Sequence, residues 1–324
     1  MTGAALPARA LWITGPRIAE IRPATVTPGE GDRVIRTLYT GISRGTERLV
    51  FEGRVPRGEY DTMRAPLQEG AFPFPVKYGY AAVGRIEDGP DAGQVVFALH
   101  PHQTRFACPG AMAVPVPDAV PPARAVLAAN METALNILWD AQVQPGDRVA
   151  VVGAGTVGAL AGYLAARIPG TETCLVDVTA ARAPLARALG CGFAAPERAP
   201  GEADVVIHAS ASDAGLATAL ALAGCEATVI EASWYGARET AVALGGAFHR
   251  RRLRLVSSQV GRIPASRAAR WTHRRRLAMA LTLLDDPALD ALISGETPFD
   301  EAARAYAGIL DAPDTLCHRL CHDG

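Results

Sequence analysis

The stretch that decides the fold is Pro145-Gly146-Asp147-Arg148-Val149-Ala150-Val151-Val152-Gly153-Ala154-Gly155-Thr156-Val157-Gly158. It reads as a turn, an apolar strand, a glycine-rich bend and the first turn of a helix. Gly153 permits the tight turn. Gly155 lets the backbone approach a pyrophosphate, and Gly158 lets the helix pack close to the strand. The helix start at Thr156 and Val157 presents unpaired amides and a partial positive charge, which suits phosphate. A Gly-x-Gly-x-x-Gly pattern alone is weak, and the strand before it and the Ala-rich helix after it give it meaning.

Downstream, a second strand ends at Asp177, 24 positions after Gly153. An acid there can hydrogen-bond both hydroxyls of an adenosine ribose and would repel a 2′-phosphate. The expected cofactor is therefore NAD, with NADP less favoured. Arg182, five residues on, could reach a ribose or a phosphate. Further strand candidates are Arg148 to Val152, Thr173 to Val176, Asp204 to Ala209, Ala227 to Glu231 and Leu253 to Ser257, with a short piece near Phe193. Helical segments lie between them at Val157 to Arg167, Ala180 to Leu189 and Ala214 to Leu222. This alternation predicts a doubly wound parallel sheet covered on both faces. Ser210 and Ser233, just after later strands, are candidate neighbours of a nicotinamide.

Upstream the texture differs. Residues 1–117 show short apolar or alternating runs divided by turn residues, such as Val34 to Tyr39, Ala81 to Ile86 and Gln94 to Leu99. A helical stretch, Ala123 to Ala141, leads into the decisive segment. After Ser258 come a helix at about Arg267 to Leu284, another at Phe299 to Leu310 and a short terminal strand. The expected organisation is a β-rich catalytic domain at 1–117, a dinucleotide-binding domain at 118–257 and a return segment at 258–324 that completes the first domain.

Composition narrows the function. The 324 residues include 49% hydrophobic and 20% charged residues, enough apolar surface for packed cores. The 32 basic and 33 acidic residues nearly cancel, so nucleic acid is disfavoured as a partner. The N-terminus lacks a signal-peptide pattern, and no apolar run reaches the ~18 residues of a membrane span. Six scattered cysteines do not form a secreted disulfide framework. The expectation is a soluble cytoplasmic protein with no membrane partner.

Several segments, spread over essentially the whole chain, resemble the medium-chain dehydrogenase/reductase superfamily, the fold of zinc alcohol dehydrogenases. Gly41-Ile42-Ser43-Arg44-Gly45-Thr46-Glu47 is similar to that family's Gly-Ile-Cys-(Arg/Gly)-(Ser/Thr)-Asp segment. Gly79-Tyr80-Ala81-Ala82-Val83-Gly84, followed by Gly93-Gln94-Val95-Val96, resembles Gly-His-Glu-x-x-Gly followed by Gly-Asp-x-Val. Pro145 to Gly158 matches the dinucleotide segment, and Thr297-Pro298-Phe299-Asp300-Glu301 resembles a late helix start. The resemblance implies a Rossmann domain joined to a GroES-like β-rich domain. It also implies NAD(P)-dependent hydride transfer on a small-molecule substrate, and a homodimer to which the strand at Leu253 to Ser257 would contribute. The segment Ser43-Arg44-Gly45-Thr46-Glu47 further resembles the bacteriochlorophyllide dehydrogenase-like branch, which oxidises a hydroxyethyl side chain on a tetrapyrrole.

The metal positions depart from the family pattern. Ser43 stands where the resemblance places a Cys ligand, Tyr80 where it places a His, and Ala81 where it places the adjacent Glu. No Cys lies in Ala129-Asn130-Met131-Glu132, where the third ligand would fall. Cys108 stands alone where the family's four-cysteine lobe would be. Zinc needs three or four thiolate, imidazole or carboxylate ligands, so no zinc is expected at either site. A hydroxyl or carboxyl must then bind the substrate oxygen and move its proton. Tyr80 is one candidate, or else it only fills the vacated metal space. Ser43 and Thr46 could donate hydrogen bonds. Glu47 could pair with Arg44 or act as a base.

Other features remain open. His100 and His102 could share a strand face and transfer protons near neutral pH, or form a hydrogen-bonded surface turn. Cys317-His318 and Cys321-His322 invite a metal, but Cys317 and Cys321 would lie ~13 Å apart along a strand. Ten arginines and no acid lie between Arg250 and Arg276. They form either a surface paired with acids from elsewhere or a site for an anionic substrate. Three functional readings follow: a zinc-independent NAD(P)-dependent dehydrogenase/reductase acting on an alcohol or carbonyl in a cleft between domains, an NADPH-dependent quinone or enone reductase, and a non-catalytic nucleotide-binding sensor or scaffold.

Overall fold

The computed structural model describes residues 5–322. The chain divides into two compact units, one formed by the chain up to Ala129 together with the chain from Arg274, the other by Asn130–His273. The sequence drew these boundaries at 117 and 257. Two packings account for the difference. Pro122–Ala125 packs on the strands Asp32–Ser43 and Ala82–Ile86 and so stays with the β-rich unit. Residues beyond Ser257 pack on the helix Ala128–Ala141: Ser258 donates to Asp140 at 2.6 Å, and Trp271 lies on Trp139 at 4.8 Å.

The second unit is built on six parallel strands in the order Gly192–Ala194, Glu172–Val176, Arg148–Val152, Ala203–His208, Ala223–Glu231, Arg254–Ser257. This is the Rossmann order, and it reverses between Arg148–Val152 and Ala203–His208. The central strands are nearly all apolar because both faces are covered. Ala150, Val152, Val176, Val206, Val229 and Leu220 form one buried cluster. The strand Arg254–Ser257 ends the sheet and is exposed along its whole length.

The first unit is β-rich and GroES-like. A seven-stranded sheet runs Ile293–Pro298, Cys317–Cys321, Asp32–Ser43, Ala82–Ile86, Val95–Ala98, Val114–Pro115, with Arg105–Pro109 pairing on Asp32–Ser43. A smaller sheet contains Ile18–Val26, Leu6–Gly15, Val76–Lys77 and Glu69–Gly70. The terminal strand Cys317–Cys321 lies antiparallel to Asp32–Ser43, with Cys317 opposite Ser43. Two expected helices are each divided. The stretch 123–141 forms Pro122–Ala125 and Ala128–Ala141, and 267–284 forms Ala265–Ala268 and His273–Thr282. No helix among the described residues is long and apolar enough to cross a membrane.

Candidate functional site

In the Rossmann unit the bend after Arg148–Val152 has the geometry of a nucleotide loop. Gly153 adopts φ +105°, and a Cβ there would lie 2.7 Å from the Ser210 backbone nitrogen, so only glycine fits. Its N–H donates to the Val176 carbonyl at 2.8 Å. A Cβ on Gly158 would lie 1.9 Å from the Gly153 carbonyl oxygen, whereas one on Gly155 would meet nothing within 4 Å. The helix Thr156–Ala165 begins there with no side-chain cap, leaving its first amides for a ligand. Gly155 is exposed, and Thr156 and Val157 are half-buried.

Asp177 stands beside this loop. One carboxylate oxygen accepts the Ala154 N–H at 2.7 Å and the other the Thr179 N–H at 2.8 Å. Arg182 closes the following turn, Ala180–Arg182, and is half-buried. These residues fit a dinucleotide: a backbone cradle for phosphate, and an oriented acid at the end of the next strand. On the other side of Arg148–Val152, Ser210 and Ser233 follow the ends of Ala203–His208 and Ala223–Glu231. The Ser233 hydroxyl accepts the Ala211 N–H at 3.1 Å.

The residues singled out in the β-rich unit separate into two places. At the first, Ser43 ends a strand and begins the helix Arg44–Phe51, whose Glu47 reaches back to accept the Ser43 N–H at 2.7 Å. This is a variant of the capping box. Glu47 is fully buried, and its other oxygen accepts His102 Nε2–H at 2.9 Å and the Tyr306 hydroxyl at 2.5 Å. Three donors therefore hold the carboxylate, while Arg44 gives Nε–H to the Leu310 carbonyl at 3.0 Å. Glu47 is thus a buried hub for these three donors. His102 fits beside Glu47 because residue 79 is glycine, where a Cβ would come within 2.8 Å of the imidazole.

Tyr80 lies at the same place. Burial pushes its hydroxyl up to about 12, partly offset by hydrogen bonding from Ser43 and Thr46, with Glu47 and Cys317 close enough to add to the rise. Tyr80 is thus a neutral phenol. Thr46, Ser43, Tyr80, Glu47 and His102 come together, joined by Tyr306.

His100 is elsewhere. It stacks on Phe106 at 4.0 Å and gives Nδ1–H to the Pro101 carbonyl at 2.8 Å. Burial pushes it down to about 3. It is a core histidine, neither a surface turn nor a group that titrates near neutral pH, and its hydrogen-bond partner differs from that of His102.

The C-terminal pairs also separate: His318 meets Thr297 at 2.8 Å and His322 meets Thr40 at 3.2 Å. Among the described residues no group of three or more His, Cys, Asp or Glu is arranged to hold a metal ion. A depression of about 260 Å³ on this unit is lined by Arg9, Arg36, Arg105, Phe299, Cys321 and His322, and does not include Ser43, Glu47, Tyr80 or His102. The arginine block is dispersed. Arg251 pairs with Glu202 at 2.8 Å and Arg252 with Glu226 at 2.9 Å, while Arg276 is fully buried.

Sequence reasoning missed Tyr306, His208 and Glu231. Tyr306 sits on the buried face of the helix Ala302–Asp311, where a tyrosine reads as core. His208 and Glu231 carried a signal, since each ends a strand of the parallel sheet. They are register partners, with His208 Nδ1 2.7 Å from Glu231.

No family model matches the chain, and no curated protein matches it. Solved structures do. L-idonate 5-dehydrogenase from Escherichia coli superposes with a TM-score of 0.80 at 14% identity, covering 98% of this chain and 99% of that one. A putative zinc-binding dehydrogenase from Sinorhizobium meliloti 1021, bound to NADP, gives 0.76 at 18% identity over 98% and 99%. A protein described as a short chain alcohol dehydrogenase from Escherichia coli CFT073, complexed with NADH, gives 0.77 at 17% identity over 97% and 99%.

Proposed function

We propose, from the premise that this chain has the medium-chain dehydrogenase/reductase fold, that it is an NAD-preferring oxidoreductase acting on a small alcohol or carbonyl without zinc. The observation that carries the proposal is the loop at Gly153 to Gly158, with its uncapped helix start and Asp177 beside it. Gly153, Gly155, Thr156, Val157 and Gly158 would hold the pyrophosphate, and Asp177 the adenosine ribose. Acid at that position favours NAD.

The bound nicotinamide supplies the hydride chemistry, and the chain supplies orientation and a hydrogen-bonding partner for the substrate oxygen. Tyr80 suits that partner, because a phenol held up to about 12 stays protonated and donates. Ser43 and Thr46 hold its hydroxyl. Glu47 does not reach substrate; it orients Ser43, His102 and Tyr306. The donor set does not fit zinc. Ser43 and a neutral Tyr80 occupy two of the family's metal positions, and the nearby carboxylate is held by three donors.

The exposed end strand Arg254–Ser257, with Leu255 and Val256 open to solvent, supports a homodimer in which a second copy continues the sheet. All six cysteines are free, which suits a reducing cytoplasm.

The test is a fluorescence titration with NADH and NADPH, followed by turnover against a panel of alcohols and carbonyls. NADH should bind more tightly than NADPH, and prior dialysis against a chelator should leave turnover unchanged. Tyr80→Phe should keep NADH affinity and lower turnover by about 10²-fold, the lower range for general acid–base catalysis. If neither nucleotide binds below millimolar concentration, the proposal fails.

A further inference from the structure

His208, Glu231, Ser210 and Ser212 lie at the carboxyl edge of the parallel sheet, where open α/β sheets bind their ligands. None of the roles given above uses His208 or Glu231. His208 is fully buried, with Nδ1 2.7 Å from Glu231 and Nε2 2.7 Å from the Ser210 hydroxyl. Ser210 meets Ser212 at 2.9 Å, and Ser212 accepts the Gly215 N–H at 3.0 Å as the cap of the helix Asp213–Leu222. Glu231 is further held by the Ser233 N–H at 2.8 Å and the Tyr235 hydroxyl at 3.1 Å.

Both ends of this chain have a fixed polarity. A backbone N–H can only donate, and an ionised carboxylate can only accept. Burial opposes ionisation of Glu231, but the hydrogen bonds from His208 and Ser233 outweigh it and hold the carboxyl below its usual range. In its neutral form His208 carries its proton on Nδ1, facing the Glu231 carboxylate, and accepts at Nε2. In that form Ser210 gives its proton to His208, and Ser212 gives its proton to Ser210. One acceptor lone pair on Ser210 remains. Ser210 is half-buried and its backbone packs against Gly153, at the edge of the nucleotide loop.

We propose that Ser210 is a hydrogen-bonding partner for a ribose hydroxyl of the bound dinucleotide, with His208 and Glu231 as its positioning residues. This rests on the nucleotide-binding reading above. With its proton given to neutral His208, the Ser210 oxygen takes a sugar hydroxyl and repels a phosphate oxygen. The strand order identifies the ribose. Asp177 ends the strand on one side of Arg148–Val152, and Ser210 and Glu231 follow strands on the other. If Asp177 takes the adenosine ribose, Ser210 takes the second one.

Calorimetric titration with AMP, which has one ribose, and ADP-ribose, which has two, separates the possibilities. Ser210→Ala should weaken ADP-ribose about three- to tenfold, the range for one hydrogen bond, and leave AMP unchanged. His208→Leu should do the same. His208→Gln, whose amide oxygen can stand near the Nε2 position, should recover part of the loss. Retained AMP binding reports an intact fold, and Ser210→Ala decides alone if His208→Leu does not fold. Unchanged ADP-ribose affinity in Ser210→Ala, or a parallel loss of AMP, overturns the inference while leaving the nucleotide site standing. If wild-type protein binds neither compound, the nucleotide reading itself falls and takes this inference with it.

Discussion

His100 lies flat on Phe106 and is held by burial at about 3, against about 6.5 for a histidine in an unfolded chain. The consequence for stability has a definite sign. Below about pH 6.5 the unfolded chain binds a proton that the native chain does not, so unfolding is favoured as pH falls toward about 3. The slope is about 1.4 kcal/mol per pH unit for each such group. His322, also pushed down to about 3 by burial, adds to it. Urea unfolding between pH 6 and 4 should show His100→Gln losing less stability per pH unit than wild type, by about 1.4 kcal/mol. Parallel curves would mean that His100 is already protonated in the native state. Glu47 makes a second point. Replacing it with Ala orphans the Ser43 N–H, His102 and Tyr306, and should cost about 3 kcal/mol or more at about 1–3 kcal/mol per buried group. Equilibrium unfolding at neutral pH measures this directly. The sequence put Glu47 beside Ser43 and Thr46, but it could not show what buries the carboxylate, because His102 and Tyr306 arrive from other parts of the chain.

The loop and helix at Gly153 to Ala165 separate packing from binding within one motif. Gly158 is needed by the fold, since a methyl there collides with the Gly153 carbonyl. Gly155 is not, since a methyl there meets open space. Gly158→Ala should lower thermal stability markedly. Gly155→Ala should stay within about 1 kcal/mol of wild type yet weaken NADH at least tenfold, because the added methyl occupies the path of the pyrophosphate. Strong NADH binding by Gly155→Ala would remove the phosphate from this loop. These strands were legible because apolar runs bounded by turn residues have few alternatives. The strand read at Arg148 to Val152 has those bounds in the structure, and the short piece near Phe193 forms Gly192–Ala194. The helix over 267–284 was not legible as two pieces. The break falls near Trp271, whose ring packs on Trp139, far away in sequence.

At the scale of the whole molecule, the exposed end strand bears on the proposed homodimer. Arg251 and Arg252 are paired with acids outside the arginine block, and Arg254–Ser257 leaves one edge of the Rossmann sheet without a neighbour among the described residues. Sedimentation should show a dimer, and Leu255→Lys should shift it toward monomer without loss of NADH binding. A wild-type monomer at micromolar concentration would exclude the sheet-edge dimer.

The amino-acid pattern alone determined the alternation of strands and helices, the glycine-rich loop with Asp177 near it, and the presence of Ser43 and Tyr80 where the resemblance places metal ligands. Each of these is written locally, in a period, a spacing or a residue type. Folding decided what local pattern cannot carry. It made Glu47 a buried hub, gave His100 and His102 different partners, and joined His208 to Glu231 across neighbouring strands. Those contacts depend on register and packing between segments remote in sequence, and burial then set the protonation of Tyr80 and His100.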